Sequence, residues 1–322
     1  MSEIAIGIDV GGTKALALVV ASDGRVLDEI QCATPHDAQS RPGAATASVL
    51  SDQVRELASR CGLVGADVPV GVGLPGMMRR DGHLAFAPNL PSASGADLST
   101  ELGRSLVNPN VFCENDANCA ALAEHEWGAA RGINDFVMVT LGTGIGGGVV
   151  ADGHLVRGRS GFAGEIGHMV VDAHGVACAC GGRGCWERYA SGGGLARLAR
   201  DAAHAGRLPV LAARAGDQGV RPEDVTGAAA QGLDEALELL DEVGWWLALG
   251  LSNLAAILDC GQFVIGGGLS VASRFVLPSA RAHLGSLVEG YGARPALTIT
   301  PSMFGPRSGA MGAALVAMGR RP

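Results

Sequence analysis

The stretch IAIGIDVGGTKALALVVASDGRVLDEIQC, residues 4–32, decides how this chain is read, because it returns later in altered form as FVMVTLGTGIGGGVVADGHLV, residues 136–156. Each copy runs as an apolar strand, a glycine turn, a second strand, an Asp-Gly turn and a third strand. Two such copies imply a duplicated domain core, which in facing halves would bring both glycine turns to one cleft. A helix is predicted over Ala44–Arg60, a strand over Pro69–Leu74, a helix over Cys119–Trp127 and a long apolar-faced helical region over Leu233–Asp259. Strand Phe263–Ile265 then leads into Gly266-Gly267-Gly268-Leu269-Ser270 and another helix. The alternation of strands and helices predicts an α/β protein of two domains.

The bulk numbers narrow the function. With 322 residues the chain is about twice a common domain. A net charge of −8 without a basic patch argues against nucleic acid and anionic membranes as partners. Trp245–Leu258 is apolar for about 14 residues, short of the ~20 that a membrane span needs. The N-terminus, with Glu3 where a signal peptide carries lysines, predicts no export and a cytoplasmic location. Of the eight cysteines, Cys178, Cys180 and Cys185 crowd together and the rest are scattered in apolar sequence, a distribution suited to a reducing compartment.

Three glycine runs are candidate nucleotide contacts. Asp9-Val10-Gly11-Gly12-Thr13-Lys14 ends an apolar strand, where bare glycines let amides approach phosphate and Asp9 is placed to hold Mg²⁺; a plain hairpin turn reads equally well. Gly142-Thr143-Gly144 lies in a run with more glycine than a hairpin needs, and it matches neither a Walker loop nor a Rossmann fingerprint. Gly267 and Gly268 suit an adenine or ribose resting on backbone, or form only a strand-to-helix loop.

Glu114-Asn115-Asp116-Ala117-Asn118 ends a short strand where a helix begins. Asp116 reads as a helix cap or as the one carboxylate that phosphoryl transfer to an alcohol requires to take up the hydroxyl proton. His168, Cys178, Cys180 and Cys185 form a Cys₃His set that suits a closed structural Zn²⁺ site. A zinc finger would want a basic surface, and redox use would want CxxC in place of CxC.

Through DVGGTK, GLPG at Gly73–Gly76, ENDAN, LGTGIGGG, GEIGH, CACGGRGCWE, YASG at Tyr189–Gly192 and IGGGLS, the chain resembles the ROK family of sugar kinases from Ile4 to Ala314, and within it the actinobacterial glucokinases. The resemblance implies a two-lobed actin-like ATPase (ribonuclease H-like) fold with a duplicated βββαβα core and a cleft. The expected lobes are residues 1–118, with a C-terminal helix at about 307–320 packing back on them, and residues 119–306. It implies ATP-dependent transfer to the 6-hydroxyl of glucose with Asp116 as general base, and sugar contacts from Asn89, Asn115, Asp116, Glu165, His168 and Glu187. His168 would serve zinc with one ring nitrogen and sugar with the other. Cofactors would be ATP, Mg²⁺ and structural Zn²⁺, and the assembly a homodimer or homotetramer. An N-acetylglucosamine or N-acetylmannosamine kinase is the alternative, and a sugar-responsive repressor is disfavoured by a first strand that starts too early for a DNA-binding domain to precede it. One departure stands out: where relatives carry tryptophan after Asn89-Leu90-Pro91, this chain has Ser92-Ala93-Ser94.

Overall fold

In the computed structural model, which describes residues 3–35, 41–64, 67–108, 110–268 and 270–320, the opening stretch forms β1 (Ile4–Val10), β2 (Lys14–Ala21) and β3 (Val26–Ala33), an antiparallel meander. After α1 (Ala44–Arg60) come β4 (Val70–Leu74), a small ribbon of β5 (Met77–Met78) and β6 (Leu84–Phe86), α2 (Leu98–Leu106), β7 (Val111–Asn115) and α3 (Asp116–Glu126). The second copy supplies β8 (Phe136–Leu141), β9 (Ile145–Ala151) and β10 (His154–Leu155). The short helix α4 (Glu187–Ala190) precedes α5 (Gly192–His204), α6 (Pro209–Ala215), α7 (Pro222–Ala229) and α8 (Asp234–Leu258). The chain closes with β11 (Gln262–Gly266), α9 (Ser270–Leu287), β12 (Thr298–Pro301) and α10 (Ser308–Ala317). Leu269 of the third glycine run lies outside the described residues.

The duplication is visible in the sheets. One runs β3-β2-β1-β4-β7 and the other β10-β9-β8-β11-β12, so each places the third, second and first strands of a meander beside two later strands. β1, β4 and β7 are parallel, as are β11 and β12. By contacts the chain divides into one unit of Met1–Met138, Gly147–Gly164 and Ser302–Pro322, and a second of Val139–Gly146 and Glu165–Pro301. No described helix is long and apolar enough to cross a membrane.

In the first unit β1 and β4 are buried on both faces, the pattern of a central parallel pair covered by helices. α1 covers one side with Leu50, Val54 and Leu57. On the other lies α10, whose sequence SGAMGAALVA is small or apolar throughout and wholly buried. Small residues on both partners let the helix backbone settle close onto the strands: a Cβ on Gly71 would fall on the Ala313 carbonyl, and one on Gly7 on that of Ala310. Gly71→Ala is therefore expected to cost about 3 kcal/mol of stability, read from the midpoint of denaturant unfolding, and an unchanged midpoint would show that α10 can move aside at no cost.

Candidate active site

The parallel strands β1, β4 and β7 end at one edge of their sheet, where ligands of open α/β sheets bind. Three sequence motifs terminate there. Asp9 pairs in register with Gly73, and Gly73 with Glu114. A Cβ on Gly73 would lie 3.4 Å from the Asp116 Cα, so the bare strand leaves room between Asp9 and the start of α3. The helix cap is Asn115, whose side chain accepts from the Asn118 N–H at 3.0 Å and donates to the Gly76 carbonyl at 3.0 Å. Asp116 is thus the first residue of α3, and its Oδ1 accepts from the Ala117 N–H at 2.8 Å. The expected helix start at Cys119 moves to Asp116, because this cap supplies the acceptor that the first turn needs.

Beneath this segment Glu114 accepts from the Asn115 N–H at 3.0 Å, the Asn118 side chain at 3.0 Å and Arg157 Nε at 2.8 Å. The first glycine turn, Gly11–Lys14, adjoins Asn89: a Cβ on Gly12 would stand 3.7 Å from the Asn89 Cβ. The departure at Ser92-Ala93-Ser94 is taken up by a short 3₁₀ turn in which Ala93 is buried and the Ser92 carbonyl accepts from the Gly43 N–H at 2.7 Å.

The Asp9 carboxyl is pushed up to about 8, chiefly by burial and further by the Asp116 charge. Without a cation the folded chain keeps a proton here that the unfolded chain releases near 3.8. The stability from this preference is full below the unfolded value and is lost as pH rises to about 8. Asp9→Asn is expected to raise the melting temperature of chelator-treated protein at pH 8 and to leave it nearly unchanged at pH 4. Equal melting temperatures at pH 8 would show that the fold tolerates the carboxylate without a partner.

In the second unit the other glycine turn meets the cysteine loop. The Glu187 carboxylate bridges them: Oε1 accepts from Cys178 Sγ at 3.0 Å, and Oε2 occupies the space that a Cβ on Gly144 would take. Gly144 is therefore bare because of Glu187, whereas nothing described lies within 4 Å of a Cβ built on Gly142 or on Gly268. The ligand atoms of His168, Cys178, Cys180 and Cys185 lie within 4.8 Å of one another. Cys180 Sγ is 3.6 Å from Cys185 Sγ, and Cys178 Sγ is 3.9 Å from His168 Nδ1. A tetrahedron with Zn–S bonds of ~2.3 Å has edges of about 3.8 Å, so the donor set fits zinc. His168 Nε2 is turned the other way, 3.9 Å from Glu165 Oε2. Burial raises the Glu165 carboxyl above its usual range, with His168 opposing and Glu187 adding to the rise.

The loop has anchors of its own. Trp186 is fully buried and donates from Nε1 to the Trp246 carbonyl of α8 at 2.8 Å, and Tyr189 donates to Asp172 at 3.0 Å while stacking on Trp246. These contacts hold the base of the loop independently of the thiols.

Sequence reading passed over Glu124, a fully buried carboxylate of α3. It accepts from the Ser302 and Ser308 hydroxyls at 2.6 and 3.0 Å and from the N–H groups of Ala129, Met303 and Phe304 at 2.8, 3.1 and 3.2 Å. This fixes the turn that starts α10, where a Cβ on Gly309 would lie 2.6 Å from the Asp9 carboxyl carbon. Four of its five partners lie some 180 residues away in sequence, so no local pattern announced it.

A family model described as ROK family matches residues 5–320. A glucokinase of Streptomyces coelicolor is 34% identical over 317 residues, 97% of this chain and 96% of that protein. An N-acetylmannosamine kinase of Escherichia coli O157:H7 is 33% identical over 322 residues, 98% of this chain and 99% of that one. Among solved structures, a ROK family glucokinase from Streptomyces griseus in complex with glucose and AMPPNP matches with a TM-score of 0.86 at 34% identity, covering 98% of this chain and 99% of that chain.

Proposed function

The chain belongs to the ROK family and has the actin-like ATPase fold, and from that premise we propose that it is an ATP-dependent hexokinase acting on the 6-hydroxyl of glucose. The observation that carries this reading is the pair Asp9 and Asp116, two interacting carboxylates at the carboxyl ends of the parallel strands β1 and β7 of one sheet, in the unit that also holds the first glycine turn. Phosphoryl transfer needs few groups beyond positioning and charge neutralisation.

In this reading Asp116 accepts the 6-hydroxyl proton as that oxygen bonds to the γ-phosphorus and the bond from phosphorus to the bridging oxygen of ADP breaks. The amides of Gly11–Lys14 and of Gly142–Gly144 hold the phosphates, and Gly267 and Gly268 leave room for the nucleoside. Asp9 would hold Mg²⁺, which when bound offsets phosphate charge and the cost of the ionised carboxyl. Asn89, Asn115, Glu165, His168 Nε2 and Glu187 would orient the sugar. Zn²⁺ on His168 Nδ1 and the three thiols would fix the ring that carries Nε2. The homodimer or homotetramer implied by the resemblance and the cytoplasmic location expected from the sequence belong to the same reading.

A coupled assay of ADP release over a panel of hexoses tests it, with glucose as the expected best substrate. The N-acetylmannosamine kinase at 33% identity supports a second reading, and preference for N-acetylmannosamine in the same panel would select it. No ADP release with any sugar, at saturating Mg²⁺ and ATP, would end both.

A further inference from the structure

Two buried hydroxyl groups sit behind the two glycine turns. Thr34, 4% exposed, donates from Oγ1 to the Gly11 carbonyl at 2.8 Å and from its N–H to the Thr13 carbonyl at 3.0 Å. Ser191, with no exposed surface, lies in the YASG motif and caps α5 by accepting from the Gly194 N–H at 3.0 Å. Its Oγ stands 2.9 Å from the Thr143 carbonyl and 2.6 Å from the Glu187 carbonyl, so its one proton is shared between them. The next two amides complete the grip, Gly192 N–H donating to the Gly142 carbonyl at 2.8 Å and Gly193 N–H to that of Thr143 at 3.1 Å.

The consequence follows from peptide geometry. No described peptide bond is cis, and in a planar trans peptide the N–H points opposite to the C=O of the same unit. Holding the carbonyls of Gly11, Gly142 and Thr143 toward Thr34 and α5 turns the N–H groups of Gly12, Thr143 and Gly144 the other way. A glycine turn left to itself can flip its peptides at little steric cost, and a flipped peptide would meet phosphate with a carbonyl oxygen. Building on the kinase reading, we propose that Thr34 and Ser191 are positioning residues for phosphate: each latches the carbonyl edge of its turn from behind, so that the amide edge is the one presented to the nucleotide. Neither touches the nucleotide, and together they give the YASG motif and the end of β3 a part in the reaction.

The test uses the full-length, zinc-loaded enzyme and its variants Thr34→Val and Ser191→Ala, with Thr34→Ser and Ser191→Thr as hydroxyl-retaining controls. Each loss of the hydroxyl removes a neutral hydrogen bond, so KM for ATP and the Ki of inorganic tripolyphosphate are expected to rise about 5- to 10-fold in parallel. The Ki of adenosine, the glucose dissociation constant and the zinc content are expected to stay within about 2-fold, and the hydroxyl-retaining variants to recover most of the loss. Uniform decline of sugar affinity, metal content and phosphate affinity would mark the hydroxyls as general supports and overturn the proposal, as would an unchanged tripolyphosphate Ki. If Val or Ala fails to fold, the Ser and Thr controls still decide, since a loss of phosphate affinity in them despite a retained hydroxyl contradicts the latch. A parent enzyme that binds tripolyphosphate but phosphorylates no sugar would refute the kinase reading and leave the latch intact.

Discussion

Asp116→Asn is expected to lower kcat by about 10³-fold while the glucose dissociation constant stays within about 3-fold, as measured by steady-state kinetics and titration calorimetry. The substitution is close to isosteric and spares the local structure. Asn115 remains the cap of α3 through the Asn118 N–H, and an amide oxygen at 116 can still accept from the Ala117 N–H at 2.8 Å. What disappears is the capacity to take a proton and one negative charge. The second loss has its own sign: the Asp116 charge raises the Asp9 carboxyl, so the variant should ionise Asp9 at lower pH, while Mg²⁺ loses the attraction of the same charge, which is larger for a divalent ion, and should need a higher concentration for half-saturation. A kcat within 10-fold of the parent would remove Asp116 from the role of base, whatever happens to the Mg²⁺ requirement.

Cys180→Ala is expected to abolish zinc binding and to weaken glucose binding about 10- to 100-fold, with the secondary structure intact. Cys180 is the exposed member of the cluster, while Cys178 and Cys185 are buried, so its truncation opens the ligand set with little loss of packing. Trp186 on the Trp246 carbonyl and the Tyr189 ring against that of Trp246 keep the base of the loop on α8. The predicted damage is therefore local: without the metal, the His168 ring loses the partner that directs Nε2. Elemental analysis showing one zinc per chain in the variant would end the assignment of Cys180 as ligand. Loss of zinc with unchanged glucose affinity would separate the metal from the sugar site. Because burial raises the thiols of Cys178 and Cys185, removing their protons opposes metal uptake, and reloading of chelated protein is expected to be faster at pH 8 than at pH 6.

Much of this protein was legible in order along the chain. The repeat of strand, glycine turn, strand and Asp-Gly turn predicted two meanders, and both sheets carry one in the same strand order. The cluster spacing brought His168, Cys178, Cys180 and Cys185 into one ligand set. These features were visible because turns, strand alternation and loop-borne ligands are written in neighbouring residues.

Other features were invisible for the complementary reason. Gly144 is a candidate phosphate contact by sequence, and only the fold shows that the place of its missing Cβ is taken by the carboxylate of Glu187, 43 positions on. Glu124 looks like any helical acid until its partners at Ser302, Met303, Phe304 and Ser308 are known. Thr34 and Ser191 are unremarkable residues whose importance rests on which carbonyl lies behind them.

By itself the amino-acid order determined the repeated architecture, the ligand chemistry of the cysteine loop and the identity of the candidate proton acceptor, since each depends on residue type and short spacing. Tertiary structure alone decided which face each glycine turn presents and what supports the acidic pair at Asp9 and Asp116. Those outcomes depend on hydrogen bonds closed between distant segments, and a peptide's orientation is set by the partner its carbonyl meets after the chain has folded.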